Sequence, residues 1–169
     1  LLGEGPRRRA PPWPFPQKGL PIRGAGHLPP ARLVRSKDGK AGAKVSAQAQ
    51  KSVLVVEDED NIATALDYLL TREGYRHDRI ASAGEAFGRI RATRPDLVLL
   101  DVMLPEVSGF DICEVVRRDP ALRSVRILMM TARGSVVERR RGLELGADGF
   151  IAKPFDLKAL RDEVRRILG

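Results

Sequence analysis

From Ser52 onward, short wholly apolar runs alternate with stretches whose apolar residues recur every three or four positions. "SVLVVE" predicts a buried strand. "NIATALDYLLTREG" predicts an amphipathic helix with Ile62, Ala65, Leu66, Leu69 and Leu70 on one face and Gly74 at its C-terminal cap. Asp60 is expected at the N-cap of that helix. "YRHDRI" predicts a second, more polar strand and therefore an edge, with His77 on it. "SAGEAFGRIRAT" predicts a helix opened by a capping box of Ser82 and Glu85. "DLVLL" is a third strand, "GFDICEVVRR" a third helix after a Ser108 cap, and "VRILMM" a fourth strand. "SVVERRRGLELG" predicts a helix capped by Ser135 and Glu138 and stopped by Gly146, with Val136, Val137 and Leu143 as its expected anchors. "GFIA" is a fifth strand, and "DLKALRDEVRRIL" a last helix with Leu157, Leu160, Val164 and Ile167 inward.

Five strand–helix units with wholly apolar central strands predict an α/β fold, a parallel sheet covered by helices on both faces. Right-handed crossovers make such a sheet doubly wound. Ligands of these sheets bind beyond the carboxyl ends of the strands. The first strand runs into Glu57 and Asp58, followed by Glu59 and Asp60; the third ends in Asp101, the fourth in Thr131 and the fifth in Lys153-Pro154. All of these polar groups therefore share one rim.

Carboxylates converging on a rim repel one another, and a hard divalent cation resolves that conflict. Mg²⁺ takes oxygen ligands, commonly one or two carboxylates plus phosphate oxygens. A hydroxyl and an ammonium opposite the acids can hold the other oxygens of a phosphoryl group as charge develops on it. Asp101 is then an exposed nucleophile whose charge the cation and Lys153 offset. Taken singly, each residue has a plainer explanation. An acidic run after a strand favours a helix dipole, Thr131 is a turn residue, Lys153 a surface charge, and Met103 and Phe150 packing groups. What points to a site is that four strand ends carry these groups in order.

The net charge of +8 would suggest a nucleic-acid partner. Its distribution argues otherwise. Residues 1–51 hold 11 Lys/Arg against 2 Asp/Glu, whereas residues 52–169 hold 19 against 20. The first 51 residues also contain 8 of the 12 prolines and 7 of the 16 glycines, with no periodicity that buries a face. Residues 1–51 are therefore expected to be a disordered basic segment, and residues 52–169 the folded domain. Such a segment could be a basic arm for nucleic acid or acidic membrane, or a proline-rich docking peptide around Pro11-Pro12-Trp13-Pro14. Because the chain opens on Leu1 and its first methionine is Met103, it is read instead as an expression scar or upstream sequence that is not normally translated. A single cysteine, Cys113, excludes an internal disulfide and a cysteine-cluster zinc site. With no long apolar run, membrane insertion is not expected, and a cytoplasmic location is the default.

The motifs "VLVVEDED", "PDLVLLDVMLPEVSG", "ILMMTA" and "GADGFIAKPF" resemble, in order and spacing, those of the receiver domain of two-component response regulators. The resemblance covers residues 52–169. It implies a flavodoxin-like (βα)5 fold with strand order 2-1-3-4-5. It implies Asp101 as phosphoacceptor and Glu57 and Asp58 as the acidic Mg²⁺ pair, Asp58 being the firmer metal ligand because Asp is also common at the first position. The backbone carbonyl of Met103 is the further ligand. Thr131 resembles the switch hydroxyl, Phe150 the switch aromatic and Lys153 the phosphate-pairing lysine, with a cis Lys153-Pro154 bond. Met103 and Arg133 occupy variable flanking positions. The implied partners are a sensor histidine kinase or phosphotransfer protein, with slow self-catalysed dephosphorylation rather than turnover of a substrate.

Other function classes fit less well. An aspartyl-phosphate hydrolase usually has a second acid two residues after its nucleophile, where Met103 stands. A flavin or nucleotide binder would need a Gly- or Ser/Thr-rich loop after the first strand, where "EDEDN" stands. A DNA-binding regulator or hybrid kinase requires the chain to be a fragment. A stand-alone receiver is expected, without direct DNA contact. Its downstream protein would be held at the face of the fourth helix, fifth strand and fifth helix. Arg139 and Arg140, extended by Lys158, Arg161 and Arg165, suit an acidic partner there.

Overall fold

The computed structural model describes residues 50–132 and 134–169; Arg133 and all but Gln50 and Lys51 of the expected basic segment lie outside the described residues. In chain order the elements are β1 (Ser52–Val56), α1 (Asp60–Arg72), β2 (Arg76–Ile80), α2 (Ala83–Thr93), β3 (Leu97–Asp101), α3 (Gly109–Arg118), β4 (Arg126–Thr131), α4 (Val136–Glu144), β5 (Gly149–Ala152) and α5 (Leu157–Leu168). A single 3-10 turn, Pro120–Leu122, precedes β4. The five strands form one parallel sheet in the order β2-β1-β3-β4-β5. This is the expected doubly wound, flavodoxin-like arrangement. Because β1 lies between β2 and β3, the winding reverses there and opens a crevice beyond the carboxyl ends of β1 and β3.

The apolar runs fold as they do because both faces of the central strands are covered. Every residue of β3 is buried, as are four of the five in β1. One face packs Val53, Val55, Leu97, Leu99, Leu128 and Met130 against Leu66, Leu70, Leu160 and Val164 of α1 and α5. β2, at the edge, alternates exposed and half-buried positions. Asp96 fastens the start of the sheet: its carboxylate accepts from the Ser52 amide at 2.8 Å and the Ser52 hydroxyl at 2.9 Å. Burial alone would raise the Asp96 pKa, but these bonds and nearby Lys51 outweigh it and hold it below the ordinary value.

The helix faces differ from expectation in several places. Asp60 is the first helical residue of α1, not its cap; Glu59 holds the cap position, with no side-chain cap bond. Ser82 does stand at the N-cap of α2, yet its hydroxyl caps nothing, so the expected box with Glu85 does not form. Ala63 joins the buried face of α1, on which Ile62 packs half-buried against the core, and Leu157 of α5 is exposed. The largest correction concerns α4. Val136 and Val137 are 82% and 77% exposed and Leu143 is also exposed, so none of the three anchors the helix. Gly142 is its one buried residue, seated on Met129 and Phe150.

The far end of α4 is tied down from α3. The Arg117 guanidinium donates to the Gly146 carbonyl at 2.7 Å, to the Val125 carbonyl at 2.8 Å and to the Asp148 carboxylate at 2.8 Å. Lysine keeps the charge but cannot reach three acceptors in one plane. Arg117→Lys is expected to cost about 2 kcal/mol in urea unfolding. A midpoint equal to that of the parent protein would refute this role.

Candidate functional site

The crevice is built from three loops. Glu57 follows the last residue of β1, Asp101 is the last residue of β3, and Lys153 follows β5. The Lys153 Nζ lies 2.7 Å from Glu57 Oε2, 3.0 Å from Asp101 Oδ2 and 3.8 Å from Glu59 Oε1. Glu57 is fully buried, and Asp101 and the Lys153 side chain nearly so; Asp101 is therefore not the exposed group expected at its strand end, because Lys153 covers it. Burial raises the Glu57 pKa, and the Asp101 charge adds to that, against the bond from Lys153. Burial also disfavours the Lys153 ammonium, but its bonds to Glu57 and Asp101 together prevail and hold its pKa above the ordinary value. The two carboxylates are tolerable at this depth only because Lys153 stands between them, and the Lys153 ammonium only because they do. Lys153-Pro154 is cis, as expected.

Among the described residues, oxygens of Glu57, Glu59 and Asp101 all lie within 4.8 Å of one another. This is an all-oxygen donor set, which suits a hard divalent cation. Glu59 joins the group although the sequence drew attention to Asp58. Asp58 is half-buried, and its carbonyl accepts from Arg79. The Met103 amide donates to Asp101 Oδ1 at 3.1 Å, and its side chain is exposed beside the crevice.

Thr131 ends β4 and is fully buried; its hydroxyl lies 3.4 Å from Glu138 Oε2 in the first turn of α4. Glu138 therefore turns toward Thr131, while its amide takes the Ser135 cap at 3.1 Å. Phe150 is already buried, its ring under Gly142, where a Cβ would stand 3.3 Å from Cδ2. Arg141 lies over the Phe110 ring, 4.5 Å from its centre, and links α4 to α3.

Comparison with known proteins identifies the domain. Residues 53–165 match the response regulator receiver domain. The chain belongs to this family. The receiver is 41% identical over 117 residues to the transcriptional regulatory protein AfsQ1 of Streptomyces coelicolor, a match covering 69% of this chain and 51% of that protein. It is 42% identical over 116 residues to the phosphate regulon transcriptional regulatory protein PhoB of Rhizobium meliloti, again covering 69% and 51%. The chain thus spans about half the length of these curated relatives. Among solved structures, the chemotaxis protein CheY4 of Vibrio cholerae superposes with a TM-score of 0.66 at 30% identity, over 71% of this chain and 100% of that one.

One residue around the receiver's crevice escaped sequence reasoning. Arg79, on the edge strand β2, reaches across to the acidic β1–α1 loop. One of two arginines in a polar edge strand gives no periodic signal, so only the fold could reveal its contacts.

Proposed function

We propose that this receiver is a phosphorylation-controlled switch in which Asp101 accepts a phosphoryl group from a phosphohistidine of a sensor kinase or phosphotransfer protein. The observation that carries this reading is the buried triad of Glu57, Asp101 and Lys153 at the crevice mouth. A carboxylate oxygen of Asp101 attacks phosphorus, an acyl phosphate forms, and the donor's imidazole nitrogen leaves with the bonding electrons. Lys153 pairs with a phosphoryl oxygen, and Thr131 offers its hydroxyl to another. Glu57, Asp101 and the Met103 carbonyl would hold Mg²⁺, with Asp58 on the strength of the family resemblance and Glu59 on the strength of geometry. When bound, Mg²⁺ neutralises charge on the phosphoryl oxygens. Thr131 and Phe150 act as the switch pair, since α4 rests on both through Glu138 and Gly142. A cytoplasmic site of action goes with this reading. Among the described residues no helix is long and apolar enough to cross a membrane.

The test is incubation of the full chain with acetyl phosphate, with and without Mg²⁺, followed by intact mass. One phosphoryl group should appear only with Mg²⁺, and Asp101→Asn should abolish it. Full labelling of that variant at the parent rate would refute Asp101 as acceptor.

For the output, the names of the relatives favour a reading beside the stand-alone one. AfsQ1 and PhoB are named transcriptional regulatory proteins, and the chain covers about half of each. This receiver would then govern an attached DNA-binding half, and sequencing the transcript beyond codon 169 decides between the two. The exposed Val136, Val137 and Leu143 of α4 give either version an apolar contact face. The basic side chains near it are less available to an acidic partner than their number suggests. Arg140 is paired with Glu144, Lys158 and Arg161 with Asp162, and Arg165 with Glu73.

A further inference from the structure

The acidic loop between β1 and α1 lacks the usual local supports. Glu59 sits at the N-cap of α1 without a side-chain cap bond. Four acids in succession, Glu57 to Asp60, repel one another. Support comes instead from Arg79 on the neighbouring strand. Its Nε donates to the Glu57 carbonyl at 3.0 Å, its Nη2 to the Asp58 carbonyl at 3.1 Å, and its Nη1 to Asp60 Oδ1 at 2.7 Å. The Glu57 amide donates to the Ile80 carbonyl at 3.1 Å, so β2 grips this segment through main chain and side chain together. With its main chain fixed, Glu57 directs one carboxylate oxygen to Lys153 and the other to the Glu59 amide at 3.1 Å. The Asp60 carboxylate is meanwhile drawn to Arg79 and does not join the oxygens of Glu57, Glu59 and Asp101.

We propose that Arg79 is a positioning residue for the divalent-cation site: by clamping two loop carbonyls and Asp60, it holds the acidic loop in the shape that turns Glu57 and Glu59 toward Asp101. The proposal rests on the cation-binding reading given above. It makes a prediction opposite to simple electrostatics. A positive charge near a cation site repels the cation, so deleting it should tighten binding if charge were its whole effect. Loss of a partner that orients ligands weakens metal affinity instead, by about 10- to 100-fold in known sites.

The experiment uses the full chain and Mn²⁺ alone as the probe, with free Mn²⁺ read by electron paramagnetic resonance. Arg79→Ala should raise the Mn²⁺ Kd about tenfold. Arg79→Lys keeps the charge but not the planar fork, and should recover only a minor part of that loss. Amide hydrogen exchange of residues 58–60 in the cation-free protein should accelerate in both variants. Should Arg79→Ala be too unstable to purify, the lysine variant carries the same test. Parent protein that fails to bind Mn²⁺ overturns the cation-site reading and this proposal with it. Parent protein that binds, with both variants binding as well or better, overturns the role of Arg79 alone. So does unchanged exchange at residues 58–60.

Discussion

Lys153→Met is expected to lower the unfolding free energy by about 3–5 kcal/mol at neutral pH without divalent cations, the usual consequence of leaving buried charge uncompensated. Glu57 is fully buried and Asp101 is 2% exposed, and Lys153 is the cation within 3.0 Å of both. Methionine fills much of the same volume, so the loss reports charge rather than a cavity. Urea unfolding at fixed pH measures it. A shift below about 1 kcal/mol, the scale of an exposed ion pair, would mean that water reaches these carboxylates far more than the structure shows.

The pH dependence separates this account from one based on packing. The folded Glu57 pKa lies above its ordinary value, so in that window the folded state binds the proton more tightly than the unfolded chain. Stability from this group is complete below about pH 4.5 and is lost as pH rises through the folded pKa. Removing the Lys153 cation should raise the folded pKa further and widen the window. The deficit of Lys153→Met should therefore shrink on acidification toward pH 5. Added Mg²⁺ should also reduce it, through preferential binding to the folded form. A deficit constant in pH and indifferent to Mg²⁺ would identify lost packing instead. Lys153 itself, with its pKa raised, contributes stability present at neutral pH and lost only as pH climbs through that raised value.

The strands and their shared rim were legible because a run such as Leu97–Leu100 that stops at Asp101 combines two strong signals, unbroken apolarity and an abrupt charge. Glu57, Asp101 and Lys153 come together at that rim, while the Thr131 hydroxyl at the end of β4 lies against Glu138 of α4. What could not be read was the direction of individual side chains. "EDED" has four acids within one turn, and which of them faces Asp101 depends on a main chain that Arg79 holds from another strand. The face of α4 was illegible for a related reason. Val136 and Val137 look like anchors in isolation, but contact with Phe150 and Met129 is made by the residue that lets the helix backbone come closest, Gly142. The N-caps failed where they rested on residue type alone: Ser82 has the right side chain and forms no cap bond, whereas Ser108 and Ser135 do.

Gly109→Ala is expected to be the most damaging single-methyl change near the site. Gly109 opens α3, and its amide donates to the Val102 carbonyl at 3.0 Å. An added Cβ would lie 2.2 Å from the Asp101 carbonyl oxygen and 2.9 Å from the Val102 Cα. Both are backbone atoms of the strand end that carries Asp101, the proposed phosphoacceptor, so no side chain can rotate away to relieve the clash. Either α3 lifts from β3, opening the packing of Phe110 and Ile112, or the Asp101–Met103 segment is displaced toward the crevice. The first route costs stability, on the order of 3 kcal/mol at the upper end of ordinary overpacking. The second moves the Asp101 carboxylate and the Met103 carbonyl together, so phosphoryl acceptance should fall more than the melting temperature suggests. Serine, with one atom more, should be worse than alanine in both measures. A Gly109→Ala protein that unfolds at the parent urea midpoint and accepts phosphate from acetyl phosphate at the parent rate would show that α3 does not hold the end of β3 in place.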